Sequence, residues 1–115
     1  MYPIEKCQKI WNFYLWESTK ERSVWYLRLD PNTSLDIHNR LWWIENLIQV
    51  EWECIMIIFD TDIWTNYKLW EWDKLSIKPE WTWHIHSNPF DKTSLTYWYF
   101  DWDIRDVIDK IKNKE

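Results

Sequence analysis

Along most of the chain, apolar and polar residues change places at nearly every step. In SVWYLRLD (23–30), Trp25, Leu27 and Leu29 alternate with Tyr26, Arg28 and Asp30, the period of two that a half-buried strand requires. IQVEWECIMIIFD (48–60), YKLWEWDKLSI (67–77), WTWHIHS (81–87) and SLTYWYFDW (94–102) continue the pattern between turn residues. Consecutive strands on short links imply an antiparallel sheet.

Three segments carry helical periodicity instead. PIEKCQKIWNFYLWES (3–18) spaces Ile4, Cys7, Trp11 and Tyr14 at helical intervals behind a proline, which suits a first turn. SLDIHNRLWWIENLI (34–48) repeats Ile37, Leu41, Ile44 and Ile48, with Ser34 placed to cap. At the C-terminus Asp103 can cap a helix over 103–114 whose stripe is Ile104, Val107, Ile108 and Ile111. The expectation is an α+β fold in a single domain, 1–115. An antiparallel sheet of about five strands would carry these helices on its Trp-rich face.

Alternation also predicts faces. Trp52 opposes Glu51 and Glu53, Trp70 and Trp72 oppose Glu71 and Asp73, and Trp102 opposes Asp101 and Asp103. If the indoles share the buried side, the acids share the open one. The same rule sends Trp81, Trp83 and Ile85 inward and leaves Thr82, His84 and His86 among the carboxylates. Trp42 and Trp43 cannot both fit a narrow helical stripe, so Trp43 is the candidate for an exposed anchor.

Composition narrows the chemistry. The 115 residues include 13 Trp and neither Gly nor Ala. Phosphate-cradling loops, dinucleotide fingerprints and nucleophile elbows all need glycine backbone and are excluded. A net charge of −5 counts against nucleic acid as a direct partner. Cys7 and Cys54 lie far apart without a CxxC motif and read as reduced thiols. The longest apolar run, CIMIIF (54–59), is too short to span a bilayer. A cytoplasmic chain with no membrane association is expected.

His84 and His86 stand at i, i+2 on one strand and could reach a common ion, as the HxH of cupin barrels does. That motif sits with glycines and a downstream carboxylate that this chain does not reproduce. A third ligand would have to be Asp101 or Glu71, so no metal and no cofactor is expected. The recurring acids favour an inhibitor of the immunity or anti-defence type. Glu51, Glu53, Glu71, Asp73, His84, His86, Asp101 and Asp103, with Trp43 as anchor, would meet a basic protein such as a nuclease-type toxin or defence effector. The alternative is a small-ligand-binding or hydrolytic or lyase-type enzyme with a Trp-lined pocket. There His84 or His86 would act as general base and Asp101 would orient it. The two readings part on whether the Trp side of the sheet is filled or hollow.

Overall fold

The computed structural model describes residues 1–35, 43–79 and 82–113. After a single 3-10 turn at Ile4–Lys6, ten strands follow: β1 (Gln8–Ile10), β2 (Phe13–Ser18), β3 (Ser23–Leu29), β4 (Thr33–Ser34), β5 (Glu45–Glu51), β6 (Cys54–Asp60), β7 (Ile63–Leu69), β8 (Lys74–Ile77), β9 (Thr82–Asn88) and β10 (Ser94–Phe100). One helix, α1 (Arg105–Lys112), ends the described chain. The strands form two antiparallel sheets, β1-β2-β3-β10-β5-β8 and β4-β9-β6-β7. One core joins them. Trp25, Leu27 and Leu29 of β3, Leu47 of β5 and Trp98 and Phe100 of β10 pack with Cys54, Met56 and Ile58 of β6, and Ile104 and Ile108 of the helical segment close it.

The α+β expectation is therefore corrected to an almost entirely β architecture. Residues 3–18 were expected as a helix but form a hairpin, with Ile10 opposite Phe13 and Lys9 opposite Tyr14. Phe13 and Leu15 turn toward the main core, while Tyr14 enters a second cluster on the sheet's outer face with Tyr26, Leu95 and Tyr97. Tertiary burial of both faces overrides the helical spacing. Of the segment 34–48, residues 36–42 lie outside the described residues, and Glu45 onward is strand. The single run 48–60 is broken at Trp52 and Glu53 into β5 and β6.

Hairpin turns in proteins usually use glycine where the backbone turns left-handed. Here those positions carry side chains: Trp11 (φ 56°), Asn32 (58°), Trp52 (60°), Thr61 (56°) and Trp72 (73°). A left-handed residue other than glycine pays roughly 1–2 kcal/mol through the clash of Cβ with the following carbonyl. Thr61 meets it with a local bond, its hydroxyl donating to the Asp60 carbonyl at 2.7 Å.

Candidate functional site

The face assignment for WTWHIHS is inverted. On β9, Thr82, His84, His86 and Asn88 are buried and Trp83 is exposed, with Ile85 and Ser87 partly so. The sheet's outer face thus carries the cross-strand row Trp83–Phe59–Trp64, and the histidines point between the sheets. Alternation gives two faces but cannot say which is inside when the inner one is polar.

Two polar units line this interior. The His84 Nε2 lies 3.6 Å from the Glu45 Oε2, with the side chains 1% and 3% exposed. Glu45 reaches it from the opposing sheet because Glu45, Leu47 and Gln49 form the inward face of β5. In the second unit, the Thr96 hydroxyl donates to Gln49 Oε1 at 2.7 Å and stands 3.3 Å from His86 Nε2. With its hydrogen toward Gln49, the Thr96 hydroxyl can accept from His86 in the tautomer that carries the proton on Nε2. The Gln49 amide in turn donates to Ser94 Oγ and to the Glu51 and Trp52 carbonyls. His86 is thereby tied to the β5–β6 turn.

The Trp98 indole lies against both histidines, its centroid 6.4 Å from His84 and 5.6 Å from His86. Cys54 borders the same space. Burial pushes its thiol up to about 12, opposed in part by a hydrogen bond with Thr96. It stays protonated at neutral pH and is a poor nucleophile.

Inward histidines raise the question of a metal, and a zinc site takes three or four protein donors. Among the described residues no three His, Cys, Asp or Glu side chains are grouped to hold an ion.

The acids expected on one sheet face are dispersed over turns and strand ends. Glu51 and Glu53 flank the β5–β6 turn, where Glu53 pairs with Lys68 at 3.0 Å. Glu71 and Asp73 lie in the β7–β8 link, and Asp73 accepts the Trp70 amide hydrogen. Asp103 holds Arg105 through two side-chain hydrogen bonds and one to its amide. Hydrogen bonding to Arg105 lowers the Asp103 carboxyl to about 2. Asp101 is far from neither Trp43 nor Trp102: the three share an open cleft of about 540 Å³ with Ile44, Asn46 and Ser76. Trp43 is half-buried rather than an exposed anchor, stacked between Phe100 and Trp102. The Ile44 and Asn46 that line this cleft flank Glu45 in sequence.

Glu45, Gln49, Thr96 and Cys54 were not among the expected site residues. Glu45 fell in the segment 34–48 read as helix and Gln49 in the run 48–60 read as strand, and only one strand through both puts them on one side.

No family model and no curated protein matches this chain. Solved structures do. An uncharacterized conserved protein with a double-stranded β-helix domain from Klebsiella pneumoniae superposes with a TM-score of 0.71 at 13% identity, over 88% of each chain. A predicted oxalate decarboxylase from Thermotoga maritima gives 0.66 at 13% identity, over 78% of each chain. The Drosophila melanogaster CENP-C cupin domain gives 0.61 at 13%, over 75% of this chain and 73% of that one. The inhibitor and immunity reading is overturned by this likeness, since the neighbours are cupin folds rather than inhibitors. Among the described residues no helix is long and apolar enough to cross a membrane. The fold of this chain is that of the cupin, or double-stranded β-helix, barrels.

Proposed function

We propose that this chain is a small-ligand domain of the cupin type, with its working groups on the inner wall of the barrel. The Glu45–His84 pair is the proton-exchanging unit, suited to general acid–base chemistry of a lyase or hydrolase. His86, fixed by Thr96 and Gln49, is the hydrogen-bonding unit that orients the ligand.

One observation carries this reading: an ionisable pair from two facing strands, almost fully removed from water, in an interior otherwise walled by Leu47, Met56 and Phe100. Burying such a pair costs more than filling the space with apolar side chains. Pairs of that kind concentrate at functional sites, where burial and a partner set the proton affinity. The fold supports the same reading, because it places the pair between the sheets.

A library of small carboxylic acids and sugars, screened by thermal shift against the protein and its Glu45→Gln and His84→Gln variants, tests the proposal. A compound that raises the melting temperature of the parent but of neither folded variant is the expected result. Ligands that stabilise all three proteins equally would place binding elsewhere and overturn it.

A further inference from the structure

The chain contains 13 Trp and no Gly in 115 residues, whereas glycine normally makes up about 7% of a protein. Alanine is absent as well. Both amino acids are specified by codons rich in G and C, so the loss of both marks a gene strongly biased to A and T. Left-handed backbone is where glycine is ordinarily found, and three of the five such positions among the described residues carry tryptophan, the others being Asn32 and Thr61. Trp11, Trp52 and Trp72 occupy left-handed backbone, which excludes neither residue but favours glycine strongly over an indole.

The acidic motifs say the same. EWE lies at the β5–β6 turn, WEWD in the β7–β8 link and DWD just after β10. An acid beside glycine is ordinary turn chemistry, and an acid beside tryptophan is not. Where tryptophan is buried, its polar end is poorly served: among the described residues the Trp98 and Trp52 indole N–H groups have no hydrogen-bond partner, although buried indoles usually find one. Elsewhere the indoles are left in solvent, as Trp64 and Trp72 are, 53% and 63% exposed.

One codon connects the two residues. UGA, a stop in the common code, is read as tryptophan in some genetic codes and as glycine in another. We propose that the tryptophan codons of this gene are UGA and are decoded as glycine in the native host, and that the space of the Trp98 indole is there a ligand cavity against His84 and His86. Loss of an indole leaves a hole on the order of 150 Å³, enough for a benzene-sized molecule. Bordered by His84 and His86, such a hole suits a compact ligand. The second half of the proposal rests on the ligand-binding reading of the barrel, and the first does not.

The coding DNA and the mass of the protein from its native host test the first half. UGA at the tryptophan positions is expected, with tryptic peptides Leu75–Lys92 and Thr93–Arg105 lighter by the Trp-to-Gly difference at residues 81, 83, 98 and 102. UGG codons, or peptides at the tryptophan masses, would overturn it while leaving the Glu45–His84 reading to its own ligand screen. For the second half, diethyl pyrocarbonate is applied to two recombinant chains, the tryptophan form and one with all 13 tryptophans replaced by glycine. The glycine chain is expected to fold, by circular dichroism, and to be acylated on Leu75–Lys92, while the tryptophan chain is protected there. A folded glycine chain with protected histidines rules out the cavity, and a glycine chain that does not fold rules out the decoding.

Discussion

Glu45 on β5 and His84 on β9 meet across the gap between the two sheets, 3.6 Å apart, so that a buried carboxyl–imidazole contact couples the two layers of the barrel. Removing one partner leaves the other buried without this contact. Glu45→Ala and His84→Ala are each expected to cost roughly 3–5 kcal/mol, the usual penalty for breaking a buried pair. The double variant should lose much less than the sum, because the second substitution removes the stranded group. Urea unfolding of the four proteins measures this, and strictly additive losses would show that the two side chains are not coupled.

Cys54 supplies a pH signature. Its thiol is held up to about 12 against an ordinary 9.0, chiefly by burial, so the fold favours the neutral form. The contribution is full below pH 9 and is lost as pH rises from 9 toward 12. Alkaline unfolding should therefore steepen above pH 9, and less so in Cys54→Ala. Iodoacetamide at pH 8 is expected to label Cys7, which is partly exposed, and to spare Cys54 until denaturant is added. Equal native labelling of both thiols would contradict the burial of Cys54.

Much of the strand content was legible in the sequence, and the site was not. Residues 23–29, 82–88 and 94–100 alternate, and they are strands. In the hairpin of β1 and β2, Phe13 and Leu15 turn to one side and Tyr14 to the other, but all three are apolar, and Ile4, Cys7, Trp11 and Tyr14 happen to fit a helix. Two buried faces on one sheet explain the error, since a strand apolar on both sides loses its period of two. The site escaped for a different reason. Its inner wall is polar and its outer wall aromatic, so the rule that indoles go inward placed His84 and His86 in solvent. EWE, WEWD and DWD looked like strand faces because acids and indoles alternate in them. Their positions at turns and strand ends show that this alternation reports turn chemistry.

Asp103 and Arg105 make a local prediction about α1. Asp103 accepts from the Arg105 amide at 3.1 Å and from its guanidinium at 2.9 and 2.8 Å. Those bonds hold the carboxyl at about 2 rather than 3.8. The sign follows from the depressed value: the contribution is present above pH 3.8 and is lost as pH falls toward 2. Protection of the Arg105 amide, its exchange relative to an unstructured peptide at the same pH, should fall over that window and should be absent at all pH values in Asp103→Ala. Slow exchange in that variant would show that packing of Ile104 and Ile108 alone holds the first turn.

The strained turns give the sharpest test of the backbone. Trp11 and Trp72 have φ of 56° and 73° and are 52% and 63% exposed, so replacing them removes less packing than at a buried indole. Glycine relieves the Cβ clash, worth roughly 1–2 kcal/mol, against which the unfolded chain gains some freedom. Trp11→Gly and Trp72→Gly are therefore each expected to stabilise by about 0.5–1 kcal/mol. The matching alanine variants keep Cβ and should gain nothing. Trp52 differs, since its ring packs edge-on to Trp70 and receives Lys92 at 4.4 Å. Its glycine variant should gain less, as the lost contacts offset the relieved strain. Chemical denaturation of the five variants, compared at constant slope, measures these differences. If Trp11→Gly and Trp72→Gly are no more stable than their alanine counterparts, the left-handed turns do not carry the strain assigned to them.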